Sequence, residues 1–360
     1  MERAYNFNAG PSALPLEVLK RAQEELVNFK QTGMSVMELS HRSKEYEGVH
    51  QQAQSLLREL LQIPSDYEVL FLQGGASLQF AQIPMNLLKE GEIGNYVLTG
   101  SWSEKALKEA KLIGETFIGA STKESGYTSI PNVEQISINK NDAYLHITSN
   151  NTIFGTQWHK FPQLENTSLI ADMSSDILCR SIEVENFSMI YAGAQKNLGP
   201  SGVTVVIVKK ELLENSRQDI PSILRYTTHA DANSLYNTPP TFAIYMLSKV
   251  LEWVKEQGGL AAIENRNVEK AKLIYDVIDE SSGFYRGHAE KDSRSLMNIT
   301  FNLPNEELNK KFLAEAKAAG FVGLNGHRSV GGCRASTYNS VPVEACEALR
   351  QFMITFKNNQ

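Results

Sequence analysis

One lysine in this 360-residue sequence stands in surroundings that suit covalent chemistry. The stretch Tyr191-Ala192-Gly193-Ala194-Gln195-Lys196-Asn197-Leu198-Gly199-Pro200-Ser201-Gly202 ends a strand, sets Lys196 among small residues and turns through Gly-Pro into a very apolar segment. Lysine amines condense with carbonyls and become nucleophilic when partly desolvated. Small neighbours leave space for a bulky partner. By itself Lys196 could still be a solvated loop residue. Asp172 closes the preceding strand, Leu169-Ile170-Ala171-Asp172. Ligands of open α/β sheets bind at the carboxyl ends of strands, so both residues are expected on one rim. A carboxylate beside a pyridine nitrogen keeps that nitrogen protonated and makes the ring an electron sink. The competing role for Asp172 is a cap on Met173-Ser174-Ser175.

Other strand ends add donors to the same rim. Gly74-Gly75-Ala76-Ser77 follows one strand and opens a helix, a pattern that lets backbone N–H groups approach a phosphate, with the Ser77 hydroxyl beside them. An ordinary tight turn has the same composition. Trp102, in Gly100-Ser101-Trp102-Ser103, is expected on a strand-to-helix loop where it can stack on an aromatic ring. Ser149-Asn150-Asn151-Thr152 supplies hydroxyls and amides. A phosphate cradle, a stacking ring, hydrogen-bond donors, an aspartate and a lysine thus converge.

The elements that must position these groups alternate. Helices are expected from about Pro15 to Lys30 and Lys44 to Leu61, then strand Tyr67–Leu72, helix 77–88, strand 95–99 and helix 103–113. Strands 143–148, 169–172, 188–192 and 204–208 follow. Near-continuous apolar strands between helices predict an α/β fold with a mostly parallel central sheet covered on both faces. Beyond Asn237-Thr238-Pro239-Pro240, long helices are expected over 242–255 and from Gly258-Gly259 to about 280. A strand over 296–302 and helices over 306–319 and 343–356 suggest a smaller α+β domain in residues 261–360. Residues 16–260 then form the large domain, and residues 1–15 join the small one.

The bulk numbers exclude some classes. A net charge of −6 argues against a nucleic-acid binder, although local arginines can still hold small anions. Cys179, Cys333 and Cys346 show neither a disulfide framework nor metal spacing, so no metal site is expected. The first residues lack an apolar leader and no run is long enough to span a bilayer, which together predict a cytoplasmic protein.

Seven stretches run through the chain in a familiar order. They are Asn6-Phe7-Asn8-Ala9-Gly10-Pro11, His41-Arg42-Ser43, Gly74-Gly75, Asn150-Asn151-Thr152, Ala171-Asp172-Met173-Ser174-Ser175, Ala194-Gln195-Lys196-Asn197, and His327-Arg328-Ser329 through Arg334-Ala335-Ser336. Together they resemble the phosphoserine aminotransferase family of class-V pyridoxal-phosphate enzymes. The resemblance implies the aspartate-aminotransferase-like fold (fold type I) and a homodimer with shared sites. It also implies exchange between 3-phosphohydroxypyruvate plus L-glutamate and O-phospho-L-serine plus 2-oxoglutarate, in serine biosynthesis. 4-Phosphohydroxythreonine of pyridoxine biosynthesis is a further implied substrate.

By that resemblance Lys196 carries pyridoxal 5'-phosphate as a Schiff base and Asp172 pairs with the pyridine nitrogen. Trp102 stacks on the ring and Thr152 bonds its 3-hydroxyl. Ala76, Ser77 and Gln195 hold the cofactor phosphate, joined by Asn237 and Thr238 of the other subunit. Arg334 takes the substrate α-carboxylate, and His41, Arg42, His327 and Arg328 take the substrate phosphate or the glutamate side chain. Separate cationic holds suit a dianionic phosphate and a carboxylate.

Two other readings compete. Within the same fold the nearest rival is a cysteine desulfurase or another small aminotransferase, and a desulfurase needs a reactive cysteine, for which Cys333 is the only candidate. A non-catalytic nucleotide binder could use the Gly-rich turns, but it gives Lys196 and Asp172 no role, and no P-loop or dinucleotide fingerprint is present.

Overall fold

A computed structural model describes residues 3–360. In chain order its elements begin with β1 (Tyr5–Asn6), α1 (Leu16–Glu25), α2 (Lys44–Leu61), β2 (Tyr67–Leu72), α3 (Gly75–Leu87), β3 (Ile93–Leu98), α4 (Ser101–Ala110) and β4 (Glu115–Ser121). Then come β5 (Asp142–Thr148), the short pair β6 (Asn150–Asn151) and β7 (Thr156–Gln157), β8 (Ser168–Asp172), β9 (Met189–Gly193), β10 (Thr204–Lys209), α5 (Lys210–Glu214) and α6 (Tyr226–Asp231). The chain finishes with α7 (Thr241–Glu256), α8 (Gly259–Asp279), β11 (Arg286–Gly287), β12 (Asn298–Asn302), α9 (Glu306–Ala318), β13 (Phe321–Val322), β14 (Cys333–Ser336) and α10 (Val343–Asn358).

Seven strands form the central sheet in the order β2-β10-β9-β8-β5-β3-β4. Neighbours from β9 to β4 are parallel, and β10 runs antiparallel to both β9 and β2. The mostly parallel α/β sheet expected from the apolar strands is therefore present. Its two faces belong to separate buried clusters. One holds Leu145, Leu169, Ala192 and Val205 with α2 and α7, and the other holds Ile170, Tyr191 and Val206 with α3 and α4. Alternate residues of each strand thus bury on opposite faces.

A third cluster fills the C-terminal region, around Phe301, Phe312, Leu349 and Phe356, against the small antiparallel sheet β11-β12-β14. Phe7 joins that cluster and β1 pairs in parallel with β13, Tyr5 opposite Phe321. Helix α8 belongs to both regions: Leu260 and Ile263 pack in the sheet-side core, Ala271 and Ile274 in the C-terminal one.

The first helix is shorter than expected, and one edge strand is additional. The first helix stops at Glu25 instead of reaching Lys30. The Asn28 side chain accepts a hydrogen bond from Gly33 N (2.8 Å), and Lys30 and Gln31 take positive φ angles, so side-chain–backbone bonding replaces the helical ladder. Edge strand β4 was not expected, because Glu115–Ser121 mixes polar and small residues with only two large apolar ones. Among the described residues no helix is long and apolar enough to cross a membrane.

Candidate active site

The carboxyl ends of β5, β8 and β9 lie at one level. Thr148 is paired with Asp172, and Asp172 with Tyr191, so the chain leaving each strand opens onto the same rim. A cavity of about 280 Å³ occupies it. Its lining contains Ala76, Ser77, Trp102, Thr152, Asp172, Gln195, Lys196, His327 and Arg334 of the expected site residues. Small-ligand sites of α/β sheets occupy this position.

Each group is held by local chemistry that its sequence explains. Asp172 Oδ1 accepts from the Ser174 amide (2.9 Å) and hydroxyl (2.6 Å). Ser174 Oγ also accepts from Gly193 N (3.1 Å), which ties the aspartate to the end of β9. Asp172 thus makes the expected cap and also lines the cavity. Burial raises the Asp172 pKa, while Ser174 and the Lys196 charge oppose the rise. Lys196 is pushed down to about 8, chiefly by desolvation, with Asp172 acting the other way. Its Nζ makes no hydrogen bond among the described residues. Ser12 Oγ donates to Lys196 O (2.6 Å) and Ser12 N to Gln195 O (2.9 Å), so the N-terminal turn braces the lysine from behind. A Cβ at Gly10 would touch Lys196 Cε at 3.5 Å, so that glycine backs directly onto the lysine side chain.

The cradle depends on backbone shape. Gly74 and Gly75 have φ of 87° and 65°, and a Cβ on Gly74 would meet Leu78 at 2.7 Å. The pair turns β2 into α3, whose first-turn amides lack intrahelical partners. Trp102 lies within the first turn of α4, not on a preceding loop. Ser103 Oγ accepts from Thr99 N (3.0 Å) and Gly100 N (3.2 Å), which fixes the turn and presents the indole. Trp102 Nε1 donates to Thr152 Oγ1 (3.0 Å), and Lys196 Nζ is 6.0 Å from the ring centroid.

Cations gather at the mouth. Arg334 Nη1 donates to Thr152 O (2.9 Å). His327 is shifted down by burial and then by the charges of Arg334, Arg328 and Lys105. Arg328 is exposed and outside the cavity lining. Four further expected residues, besides Arg328, are not brought to the cavity within one chain. His41 and Arg42 sit ahead of Ser43, the N-cap of α2. Asn237 lines a separate pocket of about 120 Å³ with Gln73 and Leu78, and Thr238 O accepts from Gln73 Nε2 (3.1 Å). Cys333 is buried with its thiol pushed up to about 12, the opposite of a reactive cysteine.

Several neighbours of these groups were given no role of their own in the sequence. Ser174 had a signal, the Asp-x-Ser spacing that makes a side-chain turn. Thr148 ends β5, and its buried hydroxyl on the cavity wall has no partner among the described residues. Lys105 follows Trp102 by three residues on α4, and its Nζ lies 4.2 Å from the indole centroid. Only the helix register could have shown that.

Comparison with known proteins decides the family. The class-V aminotransferase model matches residues 4–349. A phosphoserine aminotransferase of Alkalihalobacillus alcalophilus is 69% identical over 359 residues, spanning 100% of this chain and 99% of that one. This chain belongs to the class-V aminotransferase family, in its phosphoserine aminotransferase group. A solved phosphoserine aminotransferase studied for radiation damage of its Schiff base is 69% identical, with a TM-score of 0.99 and full coverage of both chains. The pyridoxal-phosphate-bound phosphoserine aminotransferase of Trichomonas vaginalis is 40% identical with a TM-score of 0.93, covering 98% of this chain and 100% of its own. As a class-V aminotransferase the chain is a transferase of amino groups, and its solved neighbours share the fold-type-I architecture.

Proposed function

We propose that this chain transfers the amino group between L-glutamate and 3-phosphohydroxypyruvate, using pyridoxal 5'-phosphate held at the strand-end cavity by Lys196. The observation that carries the reading is an amine with no hydrogen-bond partner among the described residues, depressed to about 8, beside a buried carboxylate in a ring-sized cavity. The residues fit the cofactor. Asp172 would pair with the ring nitrogen, Trp102 with the ring face, and Thr152 with the 3-hydroxyl. Ala76, Ser77 and Gln195 would hold the phosphate at the first turn of α3. When bound, pyridoxal phosphate supplies an electron sink for the electrons released at the substrate α-carbon.

The chain's own groups then divide the work. Lys196 Nζ, which burial leaves unprotonated more readily than an ordinary lysine, takes the proton from the substrate α-carbon and returns it. Arg334 holds the α-carboxylate in a fork already anchored on Thr152 O. His327 and Arg328 meet the substrate phosphate, for which a phosphate-free serine has no counterpart. His41, Arg42, Asn237 and Thr238 complete the site from a second copy. In support, Ile223 and Tyr236 near the 237–238 segment are 47% and 48% exposed, and Met34 and Met37 near the 41–42 segment are exposed too. A partner would cover all four.

Action on 4-phosphohydroxythreonine and a cytoplasmic location belong to the same reading. So does division into residues 1–15 with 261–360 and residues 16–260. The test is a single half-reaction with phosphoserine, compared with serine, alanine and cysteine. Phosphoserine is expected to react fastest by a wide margin, and borohydride to label Lys196. Equal rates for serine, or label on another lysine, would overturn the reading. Mixing Lys196→Ala and Arg42→Ala chains is expected to restore activity in heterodimers. Proven subunit exchange without activity would place Arg42 within its own chain's site.

A further inference from the structure

Directly after the Asp172 loop, three consecutive backbone carbonyls each accept from a different asparagine amide. Asn197 Nδ2 donates to Ile177 O, Asn339 Nδ2 to Leu178 O and Asn267 Nδ2 to Cys179 O, all at 2.9 Å. The asparagines also bond one another: Asn267 Nδ2 donates to Asn339 Oδ1 (2.9 Å), and Asn339 N to Asn197 Oδ1 (3.0 Å). All three are buried. At the centre of the turn Leu178 has φ of 61°, a conformation that a leucine keeps only when its surroundings impose it.

The three donors come from three parts of the chain. Asn197 adjoins Lys196, Asn267 lies on α8, and Asn339 lies in the segment leaving β14, five residues after Arg334. That segment is itself fixed. Lys270 Nζ, one turn along α8 from Asn267, donates to the carbonyls of Thr337 (3.0 Å), Tyr338 (2.7 Å) and Val341 (3.1 Å).

We propose that Asn197, Asn267 and Asn339 are positioning residues that clamp the Ile177–Cys179 turn and thereby set where Lys196 stands relative to Asp172. The proposal rests on the role given above to Lys196. Asp172 and the turn share one short loop, and Lys196 shares a backbone with Asn197, so the clamp joins both reacting groups to a single frame. Amide side chains suit this task, because each offers a donor and an acceptor without bringing a charge between lysine and aspartate. The clamp does not bind substrate, so it governs turnover and leaves the Arg334 hold unchanged.

Asn339→Ala in the holoenzyme tests this. It is expected to lower kcat by about tenfold to a hundredfold while KM for phosphoserine moves by less than about twofold. The circular dichroism band of the bound cofactor should shrink, since the ring and lysine lose their fixed relation. Amide exchange should accelerate in peptides covering residues 173–181 and 195–199. Asn267→Ala, which removes the bonds to Cys179 O and Asn339 Oδ1 but leaves those to Ile177 O and Leu178 O, should move the same readouts less. Leu349→Ala, deep in the C-terminal core, provides a control of lost stability and should leave kcat and the dichroism band unchanged. Wild-type exchange in both asparagine variants, or a raised KM at unchanged kcat, would overturn the clamp. Exchange is read independently of chemistry, so it separates this failure from a borohydride label on a lysine other than Lys196, which would overturn only the role of Lys196.

Discussion

Two lysines in this protein, Lys196 and Lys270, have pKa values pushed down to about 8, and burial is the first cause for both. Their surroundings are opposite. Lys270 is 1% exposed and gives all three of its N–H donors to backbone carbonyls of one loop. Lys196 gives none among the described residues and faces a cavity it shares with Asp172, Trp102 and Arg334. Low proton affinity is therefore no mark of a reactive amine. What distinguishes Lys196 is unused hydrogen-bonding capacity beside a space that another molecule can enter. Lys270 uses the same depressed ammonium to hold a loop.

The sharpest test of that contrast is removal of each amine. Lys196→Ala should abolish transamination, a loss of roughly four orders of magnitude or more, in a chain with wild-type circular dichroism. Retained turnover would move the chemistry to another amine. The partner carboxylate comes next. Asp172→Asn should still bind pyridoxal phosphate, seen by its visible absorbance, but turn over roughly a hundredfold to a thousandfold more slowly. At the mouth, Arg328→Ala should cost roughly tenfold to a hundredfold in phosphoserine efficiency with little effect on glutamate. An unchanged phosphoserine-to-serine ratio would remove Arg328 from the substrate hold.

Lys270 should speak through stability. Its folded value of about 8 lies below the ordinary 10.5, so between those pH values the unfolded chain binds more protons than the folded one. Stability should rise with pH through that window, by up to about 3 kcal/mol from this group. Urea unfolding near pH 8 and near pH 10 measures the rise, and Lys270→Met should lack it. A rise that survives the substitution belongs to other groups. Lys105→Met is the smallest expected effect, about twofold to threefold in phosphoserine efficiency, because an exposed cation over an indole contributes little. The thioether chain keeps the contact with Trp102, so any loss reads the charge alone.

Legibility followed locality. Strands β2, β8 and β10 and helix α2 were readable because apolar runs and an N-cap serine act within a few residues. Asp172 and Lys196 were readable because strand ends carry them to one rim of a parallel sheet. The brace of Ser12 on Lys196 was not, since 184 residues separate the partners. Nor were Asn267 and Lys270, which occupy buried positions on a helix whose flanking sequence resembles a solvated face.

By itself the sequence determined the α/β class, the placing of Asp172 and Lys196 on one rim, the Gly74-Gly75 turn and the family, because these depend on residue type, period and order along the chain. Tertiary structure decided what each buried polar group touches. It separated the amine that faces a cavity from the one caged by carbonyls, gave Asp172 both a cap on Ser174 and a place in the cavity lining, and set three distant asparagines on one turn. Hydrogen bonds are satisfied by whatever donor or acceptor the fold brings within about 3 Å, and that proximity is a property of packing, not of spacing.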